Sequence, residues 1–166
     1  MFANLPALEK LTVGSSDVLT ELEVGLFDNV AGSLLELKVT NFGALTSLPV
    51  DLFRSMSSLT YLGIMNIENL ESLPVGLFED TTEVVTLVLY GNELPGLELG
   101  VFDGLTKVET LALQYNAFTT LPAGIFEPLT SLENMWFHGY DMRFMQCLPD
   151  STAANIRLQY ESRVHP

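Results

Sequence analysis

The sequence predicts a solenoid, a stack of about seven similar units that share one elongated core. Three observations carry that expectation. Phenylalanine recurs at Phe2, Phe27, Phe53, Phe78, Phe102 and Phe126, at intervals of 25, 26, 25, 24 and 24 residues. A leading apolar position keeps step with it at Leu11, Leu37, Leu62, Leu87, Leu111 and Met135. Between them one phrase is restated, as "LTSLPVDLF", "LESLPVGLF" and "FTTLPAGIF". A fixed period of this size marks repeated supersecondary units that bury a face only by stacking.

Each unit divides into a strand, a bend and a return. In the unit that starts at Leu87, Leu87 and Leu89 alternate with variable residues, which is strand periodicity; Leu111 and Leu113 repeat it. Asn92 and Asn116 follow at the bend, where an asparagine side chain can hydrogen-bond backbone groups that the turn leaves unpaired. The return carries Gly100, Phe102 and Leu105, then Gly124, Phe126 and Leu129. Apolar residues three apart there suit a helical or 3₁₀ turn. Stacking sets leucine on leucine and phenylalanine on phenylalanine as continuous ladders.

These residues resemble the leucine-rich repeat family, whose pattern is L-x-x-L-x-L-x-x-N-x-L. The L-P-x-G-x-F-x-x-L tail is similar to the 24-residue "typical" subfamily, found in receptor ectodomains and in the variable lymphocyte receptors of jawless fish. The resemblance covers nearly the whole chain. It implies an α/β solenoid, a leucine-rich repeat horseshoe with a parallel concave β-sheet of about six strands and short helical or extended convex segments. It also implies protein recognition, and it leans toward an extracellular or cell-surface setting.

The early units depart from the pattern. The asparagine slot falls near Phe42 and Ile67, with Asn41, Asn66 and Asn69 displaced, so a one-residue insertion and a broken asparagine ladder are expected there. Ser16 can substitute in the first unit, and Asp51 stands where later units have Gly76, Gly100 and Gly124. At the start, Phe2, Leu5, Leu8 and Leu11 read as the second half of a repeat, so residues 1–10 are expected to be a partial first unit without a cap. An uncapped solenoid end exposes apolar core and a strand edge. The expectation is therefore a piece of a longer protein, or an edge covered by a partner or by self-association. At the far end, residues 135–166 are expected to form the last strand and an atypical cap, with a short helix around Ala153 to Leu158. The family's four-cysteine cap does not carry over, because Cys147 is the only cysteine.

Composition narrows function further. The chain has 166 residues, enough for one domain, and its apolar fraction of 48% supplies a core. Mean hydropathy is +0.30, yet no stretch approaches the ~18 apolar residues of a membrane helix, so insertion is not expected. Seven Lys and Arg against 21 Asp and Glu give a formal charge of −14. That disfavours nucleic acid, whose binding draws on neutralisation of phosphates by basic side chains. A single cysteine leaves no internal disulfide framework.

Strand alternation also maps the exposed face. The column before the first strand leucine reads Lys10, Glu36, Tyr61, Thr86, Thr110, Asn134; the column between the leucines reads Thr12, Lys38, Gly63, Val88, Ala112, Trp136. The column after the second reads Gly14, Thr40, Met65, Tyr90, Gln114, His138, and the next Ser15, Asn41, Asn66, Gly91, Tyr115, Gly139. Only one acid, Glu36, falls in them, so the negative charge belongs mainly to the convex side and the turns. Tyr61, Met65, Tyr90, Gln114, Tyr115, Trp136 and His138 are the candidate ligand-binding residues, since aromatic residues and methionine are enriched at interfaces.

No catalytic, metal or cofactor motif accompanies them. His138 and Cys147 form no recognisable nucleophile–base pair, the two histidines lack metal-ligand spacing, and there is no phosphate-binding glycine loop. The expectation is a non-catalytic module that binds a macromolecule, most simply a protein, on its concave sheet. The alternatives are a structural or regulatory segment of a larger receptor or enzyme, and an acidic inhibitor of a basic enzyme.

Overall fold

A computed structural model describes residue 5, residues 7–137 and residues 157–160. Among these, seven strands form one parallel sheet in chain order. They are β1 (Lys10–Ser16), β2 (Glu36–Phe42), β3 (Tyr61–Met65), β4 (Thr86–Val88), β5 (Thr110–Ala112), β6 (Asn134–Phe137) and β7 (Arg157–Tyr160). The leading apolar column pairs in register, Leu11 with Leu37, then Leu62, Leu87, Leu111 and Met135. β7 continues the series, with Leu158 opposite Met135. Arg157 and Leu158 therefore extend the sheet and do not belong to the expected helix around 153–158. A further parallel strand takes up the backbone hydrogen-bonding groups along the free side of β6.

The core lies behind the sheet. Leu37, Leu62, Leu87 and Leu111 are fully buried, as are Val39, Ile64 and Leu89 two residues on. A phenylalanine stack runs parallel to them. Phe27 and Phe53 have ring centroids 6.5 Å apart, Phe53 and Phe78 6.4 Å, and Phe102 and Phe126 6.0 Å, all with ring planes close to parallel. Phe2 lies outside the described residues. Each fully buried leucine or phenylalanine contributes about 1.5–3 kcal/mol of burial, so the two ladders supply most of the cohesion between turns. Leu8, Leu11 and Val13 of the first unit are only partly buried against this core.

The convex side corrects the sequence expectation of helical returns. No helix occurs among the described residues. The returns are successive tight turns, closed by hydrogen bonds such as Asp103 N–H to the Gly100 carbonyl and Glu127 N–H to the Gly124 carbonyl, both 3.0 Å. Gly76, Gly100 and Gly124 sit at φ of +92°, +92° and +80°. The hydrogen bonds there span three residues and close separate turns, so the Phe-x-x-Leu spacing is satisfied by turns and not by a helix.

The bend after each strand comes in two chemistries. Asn92 is fully buried; its amide oxygen accepts from Ile67 N–H at 3.0 Å, and its amide nitrogen donates to the Ile64 carbonyl at 2.7 Å. Asn116 repeats this with Leu94 N–H at 3.1 Å and the Leu89 carbonyl at 2.7 Å. In the earlier units the same slot, three residues past the second strand apolar residue, holds buried Phe42 and Ile67. The asparagine ladder is broken there, as the sequence implies. Asn41 and Asn66 stand one residue earlier with left-handed backbones (φ 59° and 54°), and the Asn66 amide donates to the Asn41 amide oxygen at 3.2 Å. Ser16 fills the first slot only locally, accepting from Leu19 N–H at 3.2 Å.

Candidate functional site

The exposed face of the sheet has a charged end and an aromatic end. At β1 and β2, Glu36 pairs with Lys38 at 2.6 Å and with Lys10 at 2.9 Å. Hydrogen bonds from Lys38 first and Lys10 second hold the Glu36 carboxyl down at about 2. The same partner raises the Lys38 ammonium. Lys38 also lies 5.1 Å from the centre of the Tyr61 ring, a cation–π distance that joins the charged end to the aromatic one.

At β3 the face rises over a glycine. A Cβ placed on Gly63 would lie 3.0 Å from the Met65 methyl and 3.3 Å from the Tyr61 ring. Tyr61 and Met65 therefore close over the bare backbone of Gly63 from either side, forming a mound. Sequence reasoning picked Tyr61 and Met65 but passed over Gly63. A glycine inside a strand commonly marks a close approach of this kind, and that signal was available.

Beyond the mound the centre column continues through Val88 and Ala112 to Trp136, each directly opposite the next. Val88, Ala112 and Trp136 are half-buried. Val88 and Ala112 are the small members of that row, so they form the floor of a shallow apolar cup between the Tyr61–Met65 mound and Trp136. Tyr90 and Tyr115 wall one side, packed edge to face with centroids 4.9 Å apart. Tyr115 has a φ of 56°. Its column partners Ser15, Asn41, Asn66 and Gly91 are left-handed too, at 64°, 59°, 54° and 69°. Serine, asparagine and glycine suit that bend; a bulky tyrosine there carries a conformational cost, and such residues cluster at binding sites.

The other expected site residues fare differently. Gln114 is 7% exposed, so it belongs to the packed base of the face and not to its contact surface. Its amide oxygen is buried with no hydrogen-bond partner. The sequence column could not reveal this, because alternation gives direction but not depth. His138 lies outside the described residues, as does Cys147.

Acid frames this face without entering it. Of the described aspartates and glutamates, all but Glu36 and Glu83 are exposed. Glu109 and Glu133 immediately precede β5 and β6, and Glu93 follows β4, where its N–H donates to the Tyr115 carbonyl at 3.4 Å. Among the described residues none of these three carboxylates has an ion-pair partner; Asp28–Arg54 and Glu83–Lys107 pair elsewhere. No group of three or more His, Cys, Asp or Glu converges among the described residues, and these contain no helix long and apolar enough to cross a membrane.

Residues 82–136 match the leucine rich repeat family model. No curated protein matches the chain in sequence. Among solved structures, the chain is similar to Toll in the glycosylated Toll–Spatzle complex from Drosophila, with a TM-score of 0.74 and 26% identity over 87% of this chain and 20% of that one. It is also similar in fold to TLR13 in its complex with ssRNA13, with a TM-score of 0.64 and 22% identity over 72% of this chain and 16% of that one. The chain thus spans a fifth or less of the length of either. One neighbour is held with a protein and the other with single-stranded RNA, so the fold does not decide between those ligand classes. The disfavouring of nucleic acid rests on this chain's own charge and draws no support from its neighbours. The in-register apolar column, the bend asparagines and the match over residues 82–136 agree: that segment matches the leucine rich repeat family, and the described residues form a parallel β-solenoid similar in fold to its neighbours.

Proposed function

We propose that the chain is a non-catalytic recognition module that binds a protein through its concave sheet, with Tyr61, Met65, Tyr90, Tyr115 and Trp136 as the contact residues. The observation that carries this reading is the contrast between that face and the rest of the surface. The chain has a formal charge of −14, yet the strand columns hold one carboxylate, and it is paired with two lysines. Half-buried Tyr61, Met65, Tyr90, Tyr115 and Trp136 lie among the uncharged residues of the other columns, residue types enriched in interface cores. The Toll neighbour, captured with a protein partner and in a glycosylated form, supports a protein ligand and a cell-surface or extracellular setting. The chain spans 20% of that neighbour, so the neighbour's whole recognition surface is not carried over to it.

The test is affinity enrichment from the source extract, comparing the chain with a Tyr90→Ala, Tyr115→Ala, Trp136→Ala variant whose fold is checked by circular dichroism. A protein retained by the first and lost by the second supports the reading. Equal retention by both moves binding to the rim or convex side and rejects it.

A further inference from the structure

Resting on the concave-face reading, we infer that the cup over Val88 and Ala112 takes a bulky apolar or aromatic side chain from a protein segment that also carries lysine or arginine beside that anchor. The partner is therefore a basic, aromatic-bearing peptide strand or loop.

The anchor follows from the shape of the face. Gly63, Val88, Ala112 and Trp136 lie on four neighbouring strands in register. At about 4.8 Å per strand, the mound and Trp136 stand about 14 Å apart, with only a valine and an alanine between them. That gap fits a ring-sized side chain flanked by Trp136 and the Tyr90–Tyr115 pair. The wall is poised for the contact, because Tyr115 is held in a left-handed conformation with its ring against Tyr90.

The basic neighbours follow from charge. Glu109 and Glu133 border the cup where β5 and β6 begin, and Glu93 borders it beyond β4. All three are exposed, and none is ion-paired among the described residues. Glu109 and Glu133 immediately precede the adjacent strands β5 and β6 and are linked by the Glu133 N–H to Glu109 carbonyl bond of 2.9 Å, so two like-charged residues are neighbours. A cation from the partner would relieve that repulsion. Glu109 is three residue steps from the floor residue Ala112, about 10 Å, within reach of a lysine or arginine one or two residues from the anchor. The field of a −14 chain steers the same class of ligand inward and turns phosphate away.

Trp136 is the only tryptophan, so its fluorescence reports occupancy directly. The probes are blocked octapeptides carrying one phenylalanine flanked by lysines, the same phenylalanine flanked by glutamates, and the lysine peptide with alanine in place of phenylalanine. The expected result is saturable binding of the Lys–Phe–Lys peptide at least tenfold tighter than either control. Glu109→Gln with Glu133→Gln should weaken it about three- to tenfold and flatten its salt dependence. Ala112→Trp, which fills the cup from its half-buried floor, should abolish it. Comparable binding of the glutamate-flanked peptide overturns the inference, as does tighter binding of a mixed-sequence single-stranded RNA. So does a lysine peptide whose binding ignores both variants. A natural partner that is lost with the Tyr90, Tyr115 and Trp136 changes but is indifferent to salt and to Glu109 and Glu133 leaves the concave face as the recognition surface and overturns only the basic ligand.

Discussion

The bend after β2 and the bend after β4 stand in equivalent places on the solenoid and solve the same problem in opposite ways. After β4, Asn92 is buried and hydrogen-bonds the backbone of the preceding turn on both its amide atoms. After β2, Phe42 is 3% exposed and the slot is filled by hydrocarbon. The difference extends to spacing. The interval from the leading strand residue to the repeat phenylalanine is 16 residues in the units starting at Leu11, Leu37 and Leu62, and 15 in those starting at Leu87 and Leu111. The left-handed bend one residue before the slot is common to both unit lengths, at Asn41 and Asn66 and at Gly91 and Tyr115, so the extra residue falls after the slot. One fold therefore tolerates a polar or an apolar residue in the slot over the same bend.

That comparison can be broken from either side. The largest effect is expected from Phe42→Ala, about 3–5 kcal/mol of stability measured by urea unfolding, because it empties an apolar slot that cannot collapse without moving two turns. Asn92→Leu comes next, at about 2–4 kcal/mol, since it leaves Ile67 N–H and the Ile64 carbonyl buried without partners. Asn116→Leu should cost less, because Asn116 is half-buried and water can replace part of what is lost. Equal losses at Asn92 and Asn116 would show that burial does not set the cost.

Tyr115→Gly sharpens the comparison on the binding face. The change removes an edge-to-face contact worth about 0.5–1.5 kcal/mol, but it also relieves a left-handed backbone of similar cost. Stability should stay within about 1 kcal/mol of the original while ligand binding falls. A large loss of stability would make Tyr115 a packing residue.

The smallest effect concerns Glu36. Its carboxyl is held at about 2 by Lys38 and Lys10, below the ordinary value of 4.5. Whatever stabilisation the cluster gives is fully present above the ordinary value and fades as pH falls from there toward about 2. A carboxyl NMR titration should place Glu36 lowest among the described glutamates, and Lys38→Met should move it up.

Much of this fold was legible in the sequence for a physical reason. A repeat must place equivalent side chains at equivalent heights, so the spacing of Leu37, Leu62, Leu87 and Leu111 already contains the sheet register. Of the helical or extended convex segments expected, the helical option is not realised, because apolar residues three apart serve a helix and a run of turns equally well and the backbone hydrogen bonds there close turns. β7 was missed because the residues before Arg157 carry no repeat phrase, and strand pairing with β6 is a tertiary choice. On the exposed sheet face, the column positions of Tyr61, Met65, Tyr90, Tyr115 and Trp136 follow from strand alternation, whereas the burial of Gln114 depends on the packing around it. The cup itself depends on Gly63 and Ala112, which are informative through what they lack.

The central claim, that ligand meets the concave sheet, is tested most directly by photo-crosslinking. A benzophenone amino acid is placed at Ala112 on the cup floor in one variant, and at Asp103 in an exposed turn in another. With the captured partner present, the reading predicts a covalent adduct from position 112 and none from position 103. An adduct from position 103 alone would contradict it and place recognition on the convex side.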